Sequence, residues 1–193
     1  KHNLERCFMS NKTINGIMFI IAGLGSIVVY IGLGETGILD KSHTEKIAAY
    51  ALLAMPLAFM MTRNIERNNL IDSGLLVIVV GLSMGLVSDA ISSAEISTES
   101  ESIGDVIAWT GWSIMYLGMF VTGIGYLRTK LFPQWLSGLL AVAAFAFFAF
   151  IAILNGEQLA NNEDLIAPLW MANSIVLVIM GIFTIRRTDK KTK

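Results

Sequence analysis

Six stretches of apolar residues, separated by polar and charged connections, dominate the pattern of this chain. A helix needs about 20 apolar residues to cross the roughly 30 Å hydrocarbon core of a bilayer. Windows near that length occupy residues 13–34, 47–62, 70–88, 106–127, 135–154 and 165–185. The second window is short, and we expect it to recruit flanking residues such as Thr44. The pattern predicts an all-α fold, a bundle of six transmembrane helices.

Charged residues sort to alternate connections between these windows. Twelve of the 14 Lys and Arg residues fall in segments 1–12, 63–69, 128–134 and 186–193, whereas 11 of the 15 acidic residues fall in the other three connections. Multipass proteins retain Lys and Arg on the cytoplasmic side of the membrane. We therefore expect both termini to be cytoplasmic, and five or seven spans would scramble the alternation.

The two ends of the chain are expected to be short cytoplasmic segments. Residues 1–12 lead into an apolar run that is longer than a secretory signal and lacks a convincing small-residue cleavage site, so the run is interpreted as a retained span. Met9 makes a natural start, and we hypothesise that residues 1–8 are not part of the native protein. The transmembrane domain then covers 13–185, and 186–193 form a basic tail.

Two local irregularities are predicted within this layout. The longest connection, residues 88–105, carries five acids and no bases, and we expect a solvated loop on the outer side. Pro56 lies inside the second window and is expected to kink its helix, because proline has no backbone N–H to donate.

The composition agrees with lipid as the solvent and excludes several classes of protein. Hydrophobic residues make up 54% of the chain and charged residues 15%, with a mean hydropathy of +0.65, whereas soluble domains carry about 25% charged residues. A net charge of -1 leaves no basic excess for nucleic acid. Cys7 is the single cysteine, and His2 and His43 lie outside the windows. We therefore predict no nucleic-acid partner, no disulfide, no bound metal and no cofactor.

The windows also lack the groups that catalysis needs. None contains a nucleophile with a base, or His and carboxylate metal ligands, and the chain has no Walker loop or GxSxG motif. Asp72 lies at the edge of the third window, where it either favours the helix start through the helix dipole or couples to protons. We predict that the protein is not an enzyme.

Small residues recur at helical spacing in the third and fourth windows, where they allow two helix backbones to approach closely. We expect these faces to pack inside one compact bundle, or alternatively against a partner subunit or a second copy of the chain. The predicted packing residues are Gly74, Gly81, Gly85, Gly111, Gly118 and Gly125.

Polar and aromatic side chains at membrane depth mark a candidate pocket, because a polar group in lipid is costly unless it is paired or wetted. Trp109, Trp112 and Tyr116 recur at spacings of three and four in the fourth window, and Asn173 and Ser174 lie in the middle of the sixth. We expect them to line a small outward-facing pocket. The alternative is an interfacial aromatic belt with Asn173 bonded to a neighbouring helix.

The carboxyl half carries a family likeness. A glycine-rich span ends in Gly-Tyr-Leu-Arg at 125–128, Leu-Phe-Pro-Gln-Trp-Leu at 131–136 opens the next span, and Pro-Leu-Trp at 168–170 precedes a final Gly181 and a pair of arginines. This layout resembles the small multipass bacterial and archaeal membrane proteins of the DUF4386 type. The resemblance implies a multipass protein and carries over no catalytic or ligand residues.

Two functional hypotheses follow. In the first, the bundle is a non-enzymatic membrane protein that binds or passes a small solute. In the second, it is a structural or regulatory membrane subunit whose glycine faces pack against partner helices. The compact size and short connections favour a prokaryotic inner membrane as the location.

Overall fold

The computed structural model of the chain describes residues 10–92, 94, 97–154, 158–159 and 161–187. The long elements in these ranges are all helices: α1 (Asn11–Ile27), continuing as a π-helical segment (Val28–Gly34), α2 (Lys41–Leu52), α3 (Ala54–Arg63), α4 (Asn69–Ser92), α5 (Thr98–Leu127), α6 (Gln134–Ile153) and α7 (Glu163–Arg186). The predicted all-α class is confirmed. The hypotheses on residues 1–8 and on most of the basic tail, 188–193, fall outside the described residues.

Six helical segments are long and apolar enough to cross a membrane, and each overlaps one predicted window. These first to sixth spans are Asn11–Gly34, Lys41–Arg63, Asn69–Ile91, Ser102–Leu127, Gln134–Ile153 and Asp164–Arg186. The second span begins at Lys41 rather than at residue 47, so it incorporates Thr44 and reaches 23 residues. Asp40 caps its first turn by accepting a 2.8 Å hydrogen bond from the His43 backbone N–H.

The spans pack as a closed ring in chain order. α1 contacts α2 and α3, which both contact α4; α4 contacts α5, α5 contacts α6, α6 contacts α7, and α7 returns to α1. Short connections place consecutive helices side by side and antiparallel. The first and last spans therefore close the ring, and the interior is shared by all six.

The antiparallel order gives the bundle a basic end and an acidic end. Lys12, Arg63 and Arg186 stand at helix termini at the basic end, and the Arg63 guanidinium pairs there with Asp72 at 2.6 Å. Glu35 and Asp164 stand at helix termini at the opposite, acidic end. The charge asymmetry that the sequence shows between alternate connections thus becomes an asymmetry between the two ends of one bundle.

The outer surface of the ring is apolar. Only 33–39% of the most apolar window of each span is buried inside the bundle. Large apolar side chains such as Leu76, Val142 and Ile153 face outward, at 65%, 68% and 79% exposure. Soluble monomers rarely expose contiguous apolar surface on this scale. The exterior is therefore suited to lipid.

The most extensive helix contact among the described elements joins α4 to α5 along a seam of glycines. A Cβ added to Gly118 would lie 2.5 Å from the Ile78 backbone nitrogen, and one added to Gly111 would lie 2.8 Å from the Gly85 nitrogen, where ordinary contacts begin at 3.4 Å. Only glycine allows this approach of the two backbones. All six glycines of the predicted packing faces lie in the α4–α5 seam: Gly74, Gly81, Gly85, Gly111, Gly118 and Gly125.

The described residues of segment 88–105 are largely helical, so the prediction of a solvated loop was wrong for residues 88–92 and 98–105. α4 continues to Ser92 and α5 begins at Thr98. The Ser88 hydroxyl donates a 2.6 Å hydrogen bond to the Gly104 carbonyl, which ties the two helices together beyond the apolar windows. A polar composition marks where the hydrocarbon ends, but the backbone continues to satisfy its hydrogen bonds as a helix.

The second span is interrupted where proline predicts a distortion. α2 ends at Leu52 and α3 begins at Ala54. Pro56 has no N–H to donate to the Leu52 carbonyl, four residues before it, so the helical hydrogen-bond ladder cannot continue through this point. The interruption lies beside the interior of the ring, since Leu52 and Met55 are both buried.

Candidate functional site

A cavity of about 300 Å³ lies inside the ring, in the half of the bundle nearer the acidic end. Each of the six spans contributes at least one side chain to its lining, so the cavity is a product of the whole ring. The lining residues are Ser26, Tyr30, Leu52, Asp89, Trp109, Trp112, Met115, Tyr116, Phe147, Ile151, Ile166 and Trp170.

Aromatic rings form much of the cavity wall. α5 supplies Trp109 and Trp112 one turn apart, and α7 supplies Trp170. Gly85 of α4 makes room for the Trp112 indole, because a Cβ there would lie 2.8 Å from the ring. Deeper in the cavity, the Tyr116 ring packs against Phe147 with their centroids 4.2 Å apart. The α4–α5 seam thus positions a tryptophan as well as joining two helices.

A hydrogen-bonded tyrosine connects the first and second spans beside the cavity. The Tyr30 hydroxyl donates to Oε2 of Glu45 at 2.7 Å, and the Tyr30 ring meets Trp170 edge-on with centroids 6.2 Å apart. Tyr30 belongs to the π-helical segment that ends the first span. Such segments are rare and occur often at functional sites, since they re-aim side chains within a helix.

Asp89 brings a carboxylate to the same wall. It lies in the last turns of α4, is partly buried, and has no hydrogen-bond or ion-pair partner among the described residues. Glu45 and Tyr30 are within electrostatic reach of it, and the two carboxylates repel each other. A carboxylate inside a helix that spans lipid is costly, and such groups commonly mark ligand or ion sites.

Ser26 adds an unsatisfied polar group to the lining. Its side chain is 2% exposed, and the buried hydroxyl oxygen has no hydrogen-bond partner within the described ranges. Serine in a helix commonly donates to a carbonyl one turn earlier, as Ser83 does to Val79 in α4. An unmet buried hydroxyl costs free energy, so a ligand that bonded it would recover that cost.

Packed aromatic rings fill the interior between the cavity and the basic end. The Phe19 and Phe59 centroids are 5.2 Å apart, those of Tyr126 and Phe132 are 5.1 Å apart, and Phe19 also meets Phe132. These rings lie nearer the basic end than the lining residues on the same helices. The cavity therefore has an aromatic floor on that side.

The structure brings together three of the five predicted pocket residues. Trp109, Trp112 and Tyr116 line the cavity, whereas Asn173 and Ser174 are not among its lining residues. The Asn173 Nδ2 group donates to the Ala143 carbonyl of α6 at 3.1 Å and to its own helix at 2.9 Å. Asn173 follows Trp170 by three residues, so the two side chains point in directions about 60° apart around the helix axis. Trp170 faces the cavity, whereas Asn173 faces α6.

Ser174 lies one turn below Trp170 on nearly the same face, but α1 covers it. A Cβ added to Gly23 would lie 2.5 Å from the Ser174 carbonyl oxygen, so α1 and α7 are in backbone contact at this level. The cavity thus ends above Ser174 on this side. The sequence could not predict that Ser174 is covered, because this depends on how closely α1 approaches α7.

Sequence reasoning missed Asp89, Glu45, Tyr30 and Ser26. The two acids were assigned to the polar connections, because the windows were drawn to avoid charges. Asp89 follows Gly85 by four residues and therefore shares its helix face. The helix face that carries Gly85 therefore continues by one turn to the Asp89 carboxylate, which lines the same cavity as Trp112.

The described residues hold no group of three or more His, Cys, Asp or Glu side chains that could hold a metal ion. The chemistry that this part of the chain offers is an aromatic enclosure with a carboxylate and a hydroxyl on its wall.

No protein-family model, curated protein or solved structure matches this chain. The resemblance to the DUF4386 type stays a prediction.

Proposed function

We propose that the chain is an integral membrane protein that crosses the bilayer six times, with both termini and the basic end in the cytoplasm of a prokaryotic cell. Support comes from six apolar spans, an apolar exterior and the collection of arginines and lysines at one end. In this orientation the cavity lies in the outer half of the membrane.

Thiol labelling tests the orientation. In a Cys7→Ser background, Thr36→Cys reports the acidic end and Asn64→Cys the basic end; both positions are exposed and outside the cavity lining. An impermeant maleimide applied to intact cells is expected to label position 36 and to reach position 64 only after lysis. Labelling of position 64 alone in intact cells would reverse the proposed orientation, and labelling of both would contradict it.

The proposed molecular role is the binding of one small solute in the cavity, with passage across the membrane as its extension. The observation that carries this proposal is the cavity itself: a space of about 300 Å³, open on one side and lined from all six spans by apolar and aromatic side chains with a few polar groups. Ligand sites have this composition, with polar groups that fix orientation and apolar walls that supply affinity. An engineered cavity of about 150 Å³ holds a benzene molecule, so this one accommodates a substituted single ring.

The role is proposed as binding rather than catalysis. The lining includes no His, Cys or Lys, and no base is bonded to the Ser26 hydroxyl among the described residues. General-base activation of a serine requires such a contact. The proposed site therefore recognises a molecule without transforming it.

Tryptophan fluorescence gives a direct test, because three of the four tryptophans line the cavity. Trp135 is outside it and 56% exposed, so a Trp135→Phe background leaves only cavity reporters. Purified protein in nanodiscs is titrated with single-ring aromatic solutes that are cationic, neutral or anionic. We expect at least one class to change the emission saturably, and empty nanodiscs correct for partition into lipid.

A matched pair of variants ties the signal to the cavity. Ser26→Leu fills the lining, whereas Ser83→Leu makes the same change on an exposed position of α4. Binding is expected to weaken in the first variant and to persist in the second. Equal affinity in both variants, with both folded by circular dichroism, would place binding outside the cavity. The absence of a saturable signal from every class would favour the structural or regulatory subunit.

A further inference from the structure

We propose that the cavity selects a cation, an organic ammonium that carries apolar substituents. This inference rests on the proposed solute-binding function and names the chemical class of the solute. Its basis is the coincidence of a carboxylate, three tryptophans and an unpaired buried hydroxyl on one enclosed surface.

The ionisable side chains at the cavity are acidic or phenolic rather than basic. Asp89 lies on the wall, and Glu45 stands behind Tyr30, whose hydroxyl already donates to it. No Lys, Arg or His is among the lining residues. Asp89 has no ion-pair partner in the described ranges and is the one carboxyl group among the lining residues, while the Glu45 carboxylate repels it from behind Tyr30. A positive ligand would relieve this repulsion, whereas an anion would add to it.

Lys46 is a basic residue close to Asp89 and lies outside the cavity lining. It lines a separate, smaller depression of about 180 Å³ together with Asp89 and Tyr50, and its Nζ donates to the Ser42 hydroxyl at 3.1 Å. Lys46 is exposed. Its charge therefore remains in solvent rather than inside the tryptophan-lined space. Because its ammonium group competes with a bound cation for Asp89, the experiment includes a variant that removes this charge.

The rings favour an organic cation over a bare one. The faces of tryptophan attract ammonium groups, and this attraction grows when the site excludes water. Apolar substituents on nitrogen gain from burial against Met115, Phe147 and Ile166. The described residues offer no cluster of three ligating side chains that would replace the water shell of a metal ion. An alkyl or aryl ammonium needs no such shell.

The buried Ser26 hydroxyl offers such a ligand a hydrogen-bond acceptor on the same wall. Its oxygen lacks a partner although the side chain is 2% exposed. A protonated amine donates hydrogen bonds and accepts none, so it complements an oxygen that is free to accept. Asp89 and Ser26 would then hold the charged nitrogen while the rings enclose the substituents.

The test compares three probes of similar shape in the Trp135→Phe background, in nanodiscs and mildly alkaline buffer. Benzylammonium is cationic in this buffer and donates hydrogen bonds, benzyl alcohol is neutral, and phenylmethanesulfonate is anionic. We expect the cation to bind at least about tenfold more tightly than either of the others, since one close opposite charge at a partly desolvated site supplies a factor of this size.

Three variants assign the preference to Asp89. Asp89→Asn is expected to weaken cation binding about tenfold and to leave the neutral probe unchanged. Asp105→Asn removes a carboxylate that is exposed and outside the lining, so it controls for general attraction to the acidic end. Lys46→Gln is expected to preserve or strengthen cation binding. The comparison of the three probes uses protein with Asp89 intact. The test of cation preference therefore remains valid even if Asp89→Asn does not fold.

The outcomes separate this inference from the function on which it rests. Saturable binding with equal or greater affinity for the neutral probe would leave the solute site standing and overturn the cation preference. Equal losses in Asp89→Asn and Asp105→Asn would reduce the preference to surface charge and overturn the assignment. No saturable binding of any probe would overturn both proposals.

Discussion

The α4–α5 seam makes a quantitative prediction for the substitution Gly81→Ala. A Cβ at this position would lie 2.6 Å from the Gly111 carbonyl oxygen and 2.7 Å from the Met115 Cα. Both obstacles are backbone atoms, which cannot rotate away as a side-chain terminus can. The Met115 backbone nitrogen lies closer still than these two atoms, so restoring the 3.4 Å at which ordinary contact begins requires the helices to separate locally by more than about 0.8 Å. A radial gap of about this size forfeits a quarter to a half of each contact's attraction.

The expected net effect is a loss of about 1–2 kcal/mol in the free energy of unfolding. Overpacking of this kind costs about 1–3 kcal/mol, and replacing a mid-helix glycine by alanine returns up to about 1 kcal/mol through helix propensity. Unfolding in mixed micelles of increasing SDS fraction, followed by far-ultraviolet circular dichroism, measures the difference.

Gly138→Ala is the matched control, because it makes the same change within α6 where there is room. The nearest atom to its new Cβ is the Leu127 Cδ2, at 3.9 Å. This variant is expected to be neutral or slightly stabilised. If Gly81→Ala were as stable as Gly138→Ala, close backbone contact would not be what holds α4 to α5, and the packing argument would be refuted.

Three further predictions concern single polar contacts. Tyr30→Phe removes the donor to Glu45 and is expected to lower the free energy of unfolding by about 1.5 kcal/mol, with Tyr50→Phe, an exposed ring in α2, as the neutral control. In the same SDS titration Thr62→Val should cost more than Tyr126→Phe, because it leaves the buried tyrosine hydroxyl without its described partner, whereas Thr62 retains its 2.6 Å bond to the Phe59 carbonyl; equal losses would contradict this. Hydrogen bonds from the backbone and ring of His43 lower the pKa of Asp40 from its usual 3.8, so its cap stabilises fully above that pH and is lost as the pH falls through the folded-state pKa. The stability gap between the parent and Asp40→Ala should therefore persist at neutral pH and close only in strong acid, and a gap that closed near neutrality would sink the assignment.

The number of helices and their approximate positions could be predicted because hydropathy is a property of contiguous residues. Each of the six windows lies within or overlaps one candidate span. The ends were less predictable. The second span gained the charged first turn at Lys41, and α4 and α5 both continued into the acidic segment 88–105. Charge marks where lipid ends, whereas helix ends depend on caps and hydrogen bonds such as that from Ser88 to Gly104.

The candidate site was only partly accessible to the same reasoning. The spacing of Trp109, Trp112 and Tyr116 identified one helix face that lines the cavity, because periodicity within a helix determines which residues share a face. Asn173 attracted attention as a polar residue in the sixth span, but it bonds α6. Asp89 was not predicted, because a charged side chain at the end of an apolar window is typical of a connection outside the membrane.

The sequence by itself determined six apolar helices, glycine faces on the third and fourth, and the separation of basic from acidic connections, since each depends on residues near one another in the chain. Only the tertiary structure decided that the sixth span returns to the first, that the helices enclose a space at the acidic end, and that Ser26, Asp89 and three tryptophans share it. Those relations join residues far apart along the chain. They depend on how closely each pair of helices can approach, and a glycine or a ring on the facing helix sets that distance.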